Sequence, residues 1–330
     1  MAIIRTFQNS DLPGVFEVWM RHWQAAKQTP AVSVSILERA IMSRQFFDPE
    51  SLMVGIADEQ VIAWGQWFID TETIDGEDVR VANIAALCFA DDPGLAICDQ
   101  LLQAIEEKLR ADDVKLIRVG PVRDDKNGYA GLAPIGYGIG VPVSDARTGS
   151  LLSRNGYHVE RSIERLVVNT STYRPPVNRA FLQFRRSTRL DHLPVLPQKD
   201  RTIKAMSHFD IERHILTDHQ QQEPLAVCGL WMGDPEVQVM ESSRAILALR
   251  LIPVTDFYGE PIRSDANTDD ASELTDQKQY LIASLIQSLS NRQIFTVETA
   301  VDQSESKLIE QLKQLKFECV EHGRQWVKNF

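Results

Sequence analysis

Apolar and polar positions along the chain fall into two successive series of elements. In the first, Ile3 and Ile4 open a short strand, and Asn9-Ser10-Asp11-Leu12-Pro13 sets a capping side chain ahead of a proline in the first turn of a helix. Val15, Phe16, Val18, Trp19 and Trp23 then recur at helical spacing, so one face is apolar and carries two tryptophans. Such a face is either core or the wall of a ligand groove. A second helical pattern covers 35–46, and strands over 52–57 and 61–69 are joined by the tight Asp58-Glu59-Gln60 turn, which makes a hairpin. A strand over 81–89 runs through Ala90-Asp91-Asp92-Pro93-Gly94 into a helix whose Ile97, Leu101, Leu102, Ile105 and Leu109 share a face. The segment 114–119 reads as the next strand, followed by a glycine- and proline-rich stretch over 120–149.

The second series predicts a strand over 202–206, a helix near 210–216, strands over 225–231 and 245–254, a helix over 274–289, a strand over 294–298 and a helix over 304–315. Both series close alike. Leu152-x4-Tyr157-x8-Leu166-x2-Asn169 matches Leu312-x4-Phe317-x8-Trp326-x2-Asn329 at an offset of 160 residues, each copy being a helix that runs into a strand opened by an aromatic residue. A match at about half the chain length implies a duplicated domain. Pro175, Pro176, Pro194 and Pro197 mark 173–200 as a linker, so the expected division is 1–172, linker 173–200 and 201–330. The fold class expected is α/β, with a mixed, mostly antiparallel sheet flanked by helices in each half.

Composition sharpens this picture. The 330 residues, 43% hydrophobic and 25% charged, suffice for two cores of ordinary size. Because no apolar run is long enough to span a bilayer, the expectation is a cytoplasmic protein without membrane contact. A net charge of −11 argues against nucleic acid as partner. One basic cluster stands out, Arg174, Arg179, Arg185, Arg186 and Arg189, as either a solvated linker face or a phosphate-binding patch. Cys88, Cys98, Cys228 and Cys319 lack CxxC spacing and sit mostly in apolar runs, which implies neither a disulfide framework nor a zinc site. His208, Asp210, His214, Asp218 and His219 lie close together, with His214 and Asp218 at i, i+4 on the expected helix, but no third ligand is fixed by spacing and no metal is expected.

The order of elements, the segment Val81 to Leu102 and the closing module resemble the GNAT (Gcn5-related N-acetyltransferase) superfamily. In that family the turn after the fourth strand reads R/Q-x-x-G-x-G/A. Here Pro93-Gly94-Leu95-Ala96-Ile97-Cys98-Asp99-Gln100-Leu101-Leu102 stands in its place, with Ala96 and Cys98 at the small positions when the leucine pair sets the register and Gly94 and Ala96 in the alternative register that starts at Asp91. Pro93 or Asp91 then replaces the family's Arg or Gln. Leu151-Leu152-Ser153-Arg154-Asn155-Gly156-Tyr157 resembles the family's L-Y-x-x-x-G-F/Y, and Gln311-Leu312-Lys313-Gln314-Leu315-Lys316-Phe317 is its more distant copy. Leu152 and Leu312 replace the tyrosine that often serves as general acid there.

The resemblance implies acetyl-CoA as cosubstrate. Its pyrophosphate would lie on backbone N–H groups at a helix N-terminus, within Gly94, Leu95, Ala96, Ile97 and Cys98, and its thioester on the strand edge Leu87-Cys88-Phe89. It implies an N-acetyltransferase acting on a small-molecule or peptide amine. No base is singled out among Asn83, Asp91, Asp145 and bound water. Asp256, Glu260, Asp265, Asp269, Asp270 and Glu273 would repel a pyrophosphate in the second half, which reads as a degenerate copy. Residues 127–142, rich in glycine and poor in charge, are too apolar to float in solvent and should pack over the acceptor entrance, as a substrate-site lid in preference to a static plug. Tyr129, Tyr137 and Trp23 are the acceptor-side candidates. The alternative function is a non-catalytic binding or interaction protein on the same scaffold.

Overall fold

The computed structural model describes residues 2–30, 33–45, 47–90, 92–123, 128–198, 200–220, 224–256, 260 and 273–330. The chain divides into unit 1, Met1–Ile163 with Glu321–Phe330, and unit 2, Glu164–Val320.

Unit 1 contains β1 (Ile3–Thr6), α1 (Leu12–Ala25), α2 (Val34–Leu37), β2 (Leu52–Ala57), β3 (Gln60–Ile74), β4 (Glu77–Phe89), α3 (Asp92–Ala111), β5 (Leu116–Val119), β6 (Val141–Pro142), α4 (Ala146–Arg154) and the start of β7 (His158–Asn169). β1 through β4 form an antiparallel meander. β5 joins β4 in parallel, which needs the crossover helix α3. Leu101, Leu102, Ile105 and Leu109 of α3 bury the expected apolar face on Trp67, Ile84, Phe89 and Ile117 of the sheet.

Unit 2 contains the end of β7, α5 (Arg179–Ser187), β8 (Thr188–Pro194), β9 (Leu196–Pro197), α6 (Asp200–Met206), β10 (Phe209–Asp218), β11 (Pro224–Gly233), β12 (Arg244–Ala248), β13 (Val254–Thr255), α7 (Asp276–Leu289), β14 (Thr296–Asp302), α8 (Ser306–Gln314) and the start of β15 (Glu318–Asn329). Strands β8, β10, β11 and β12 are antiparallel neighbours, and β14 is parallel to β12 across the crossover helix α7. The order of unit 1 thus recurs.

The closing modules repeat at the same offset, with α4 and α8 both nine residues long and β7 and β15 both twelve. Each helix ends on a residue with positive φ, Gly156 at 82° and Lys316 at 71°, after which Tyr157 N–H donates to Leu152 O and Phe317 N–H to Leu312 O, both at 3.0 Å. The strands are exchanged between the units. From Glu164 onward β7 belongs to unit 2, where Leu166 and Val168 enter its core. From Glu321 onward β15 belongs to unit 1, where Trp326, Val327, Lys328 and Asn329 pair with Val119, Arg118, Ile117 and Leu116 of β5.

Three sequence expectations differ from the structure. Residues 173–200 are no linker, because they carry α5, β8 and β9, and β8 pairs with β10 in unit 2. The segment 202–206 is helical, its buried Thr202, Ala205 and Met206 falling at i, i+3, i+4. Residues 210–216 form a strand, with Phe209, Ile211 and Arg213 buried at period two, and β-branched Ile211, Ile215 and Thr217 suit it. No described helix is long and apolar enough to cross a membrane.

Candidate functional site

β4 pairs with β5 only through Val81, Ala82, Asn83 and Ile84. Gly120 N–H then donates to Ile84 O at 3.0 Å, and Gly120, with φ of 88°, turns the chain away. A Cβ there would stand 2.6 Å from Val141 N, so the turn needs glycine. On its other edge β4 stays paired with β3 as far as Phe89, and Ala90 N–H donates to Ile62 O. Strand geometry alternates the direction of successive N–H groups, so those of Leu87 and Phe89 point away from β3 into the gap that β5 leaves.

Side chains fill that gap. His22, on the buried face of α1, accepts the Phe89 N–H on Nδ1 at 3.3 Å, and its Nε2 lies 3.1 Å from Asp145 Oδ2. Both side chains are essentially sealed from solvent, at 0% and 1% exposure. Asp145 also caps α4, its Oδ1 accepting Thr148 N–H at 3.2 Å. Burial pushes the Asp145 carboxyl up, but the contacts with His22 and Thr148 pull harder and hold it below the ordinary carboxylate range. The Arg147 guanidinium sits 4.9 Å from the Phe89 ring centroid and donates to His22 O at 3.2 Å. A hollow of about 20 Å³ remains, lined among others by Leu87, Val119, Gly120, Asp145 and Thr148, which is room for about one water. Of its lining, Trp23 Nε1, Thr148 Oγ1 and Asp145 Oδ2 are buried without a hydrogen bond, and His22 Nε2 faces Asp145 Oδ2 outside hydrogen-bond geometry.

Of the residues expected to hold the cosubstrate, Leu87, Cys88 and Phe89 lie on this edge and are buried. Burial and the Asp145 charge push the Cys88 thiol up, and burial and the Asp99 charge do the same at Cys98, so neither is a nucleophile. At the start of α3, Gly94 is buried with Ile62 O 2.9 Å from where a Cβ would stand, so close packing on β3 already explains this glycine. Ile97 and Cys98 are buried, Leu95 is half-buried and Ala96 is exposed. Asp91 and Asn127 lie outside the described residues. Leu152 is buried in the core, and the nearby Tyr157 is engaged elsewhere, its OH donating to Glu106, which Lys328 also holds.

The acceptor-side candidates are buried as well. Tyr129 donates its hydroxyl to Gln66 Oε1, and Tyr137 and Trp23 are each under 10% exposed. Arg123 ties the segment down by donating to Gly136 O and Tyr137 O at 3.1 and 2.6 Å. Gly136 packs so closely that a Cβ would meet Gly131 N at 2.7 Å. Of the two roles open to this segment, the structure has the packed plug. Trp23 stacks edge-on with His22 and Trp19. His22, Gln66 and Arg147 escaped the sequence reading, although a histidine in the apolar stripe between Trp19 and Trp23 was a visible signal.

In unit 2, β12 and β14 pair through Arg244, Ala245 and Ile246. Glu298, fully buried, is held by Arg165 and Arg244 at 2.9 and 2.7 Å. Asp265, Asp269 and Asp270 lie outside the described residues. His214 Nε2 is 2.9 Å from Oε2 of Glu212, two residues earlier on the same strand. Arg179 and Arg186 of the basic cluster line an open groove of about 570 Å³ beside α5 with His219 and Asp218.

No protein-family model and no curated protein matches the chain. Solved structures do. A GNAT region of a fungal multi-domain GH3 β-N-acetylglucosaminidase, described as a glucosamine N-acetyltransferase, superposes with a TM-score of 0.64 at 10% identity over 99% of this chain, which spans only 38% of that one. A GNAT from Sphaerobacter thermophilus gives 0.61 at 10% identity, covering 99% of this chain and 95% of that one. A tandem GNAT protein of the clavulanic acid biosynthesis pathway gives 0.59 at 11% identity, covering 100% and 98%.

Proposed function

We propose that this chain, which has the GNAT fold in two tandem copies, is an acyl-CoA-dependent N-acyltransferase whose acyl site is the open edge of β4 in unit 1. The observation that carries the reading is the parting of β4 from β5 after Ile84, which leaves the Leu87 and Phe89 N–H groups without a backbone partner from β5. A thioester carbonyl laid along this edge would receive a preformed N–H donor, and the same donor stabilises negative charge on that oxygen as an amine attacks. The new C–N bond forms as the C–S bond breaks, and the thiolate takes the proton the amine gives up. Acetyl-CoA is the cosubstrate to test and a small-molecule or peptide amine the acceptor. The N-terminus of α3, where the Gly94 N–H precedes the intrahelical ladder, is the place for the pyrophosphate, and the unmatched polar atoms around the hollow suit a polar guest.

Calorimetric titration of the full chain with acetyl-CoA tests this. Micromolar to millimolar binding is expected. Ala96→Glu, an exposed change that sets a carboxylate beside the phosphates, is expected to weaken it at least tenfold without lowering the melting temperature. The second reading, a non-catalytic protein, is favoured by the filled crevice and the carboxylate within it; no heat at millimolar acetyl-CoA would decide for it.

A further inference from the structure

The crevice of unit 1 is closed by one side chain whose chemistry matches what it covers. A buried amide N–H at a strand edge is ordinarily satisfied by the next strand's carbonyl, and here Gly120 steers that strand away. The Phe89 N–H goes instead to the lone pair of His22 Nδ1. Since Nδ1 accepts, its lone pair is free and the ring N–H is on Nε2, which lies 3.1 Å from Asp145 Oδ2 as a close contact outside hydrogen-bond geometry. A histidine with a carboxylate behind it is a costly way to fill an apolar gap. It does, however, present an sp² acceptor to the N–H in the way a carbonyl oxygen does. The ring is braced edge-on by Phe89 and Trp23, with centroids at 5.0 and 4.8 Å, and the one-water hollow lies alongside.

We propose that His22 is a positioning residue of the acyl site: in the ligand-free crevice its Nδ1 takes the place of the thioester oxygen on the Phe89 N–H, and entry of an acyl-CoA transfers that hydrogen bond from imidazole to thioester. Asp145 fixes the tautomer that makes the exchange possible. The proposal rests on the acyltransferase reading and adds to it that the crevice keeps its donor occupied until a carbonyl arrives. Binding must therefore release one hydrogen bond, and removing the imidazole should tighten binding by about fivefold.

The test uses the full chain with acetyl-CoA as probe. Nitrogen NMR of labelled histidine is expected to show His22 in the Nε2–H form with Nδ1 accepting, and acetyl-CoA is expected to shift the Nδ1 resonance. In calorimetry His22→Ala should bind about fivefold tighter than wild type, whereas His22→Asn, whose amide oxygen can again accept the Phe89 N–H, should return to the wild-type affinity. Binding by His22→Ala alone would also support the proposal. Acetyl-CoA that binds in a manner sensitive to Ala96→Glu, yet leaves the His22 resonances unmoved and all three affinities equal, overturns the proposal and spares the acyltransferase reading. Binding by none of the three overturns both. Should His22→Ala fail to fold, the resonance shift in the unaltered chain decides.

Discussion

Replacing Asp145 by asparagine is the sharpest probe of the crevice, because it changes the charge and the donor pattern while keeping the shape. Asparagine caps helices about as well as aspartate, so its oxygen can still accept Thr148 N–H and α4 should keep its start. The other limb of the side chain becomes an NH₂ facing His22 Nε2, where the carboxylate oxygen stood at 3.1 Å. The ring can then accept only on Nε2, its proton moves to Nδ1, and two donors confront each other at the Phe89 N–H. A charge-assisted contact is lost, worth about 1.5–3 kcal/mol, and a buried N–H is left unpaired at a cost of about 1–3 kcal/mol. Together, allowing for relaxation, unit 1 should lose about 3–5 kcal/mol. Urea denaturation at pH 7, followed by the fluorescence of the neighbouring Trp19, Trp23 and Trp64, reads this directly. The pH dependence carries a sign. Burial raises the Asp145 pKa, but His22 and Thr148 together lower it below its ordinary value. Its contribution is therefore present above about pH 4, the unfolded value, and is lost as pH falls through the folded one. The gap between wild type and variant should shrink below about pH 4. A loss under about 1 kcal/mol at pH 7, or a gap unchanged at pH 3, would refute the reasoning.

Other consequences follow from the fold. Deleting Glu321–Phe330 strips β5 of its antiparallel partner and removes Trp326 from the unit 1 core; limited proteolysis should then cut within 1–163 at least tenfold faster, although those residues are untouched. Glu298→Gln leaves Arg165 and Arg244 buried without their carboxylate, and thermal or urea unfolding of unit 2 should register a loss of about 3–5 kcal/mol. Burial raises the Glu212 pKa, but His214 and Arg292 bring it down to about 2. Its stabilisation is thus full above about pH 4.5 and disappears toward pH 2, so Glu212→Gln should flatten that part of the acid-denaturation curve.

The periodicity of 81–89, the apolar face of the following helix and the module repeated from Leu152 to Leu312 made the fold class legible in the sequence, and the solved GNAT structures share that fold. What was not legible depends on contacts between distant segments. An offset of 160 residues says that β7 and β15 are equivalent, not which unit each completes, because Leu166 and Trp326 suit either core. Short segments misled for a related reason: 200–206 and 209–218 are each compatible with either period until a neighbouring strand supplies partners, as β8 and β11 do for β10. The strand over 81–89 is read from its pattern, and the edge at Leu87, Cys88 and Phe89 is singled out by the family resemblance. His22 is not, since it approaches that edge from α1, 67 residues earlier.

Both units cap the loose end of their central strand with a side chain, and the chemistry of the two caps is opposite. In unit 1 the group left over is a donor, Phe89 N–H, covered by the neutral acceptor His22 Nδ1. In unit 2 a group left over just past β12 is an acceptor, Leu249 O, to which the buried Lys278 of α7 donates at 3.1 Å. A thioester brings a carbonyl oxygen and therefore needs a donor. Displacing His22 exposes one and leaves a neutral ring that loses little by the exchange. Displacing Lys278 would expose a carbonyl, which repels the thioester oxygen. In the paired stretch of β12 and β14, Glu298 is held by Arg165 and Arg244. Under the proposed acyltransferase reading, the acyl site is therefore the β4 edge of unit 1.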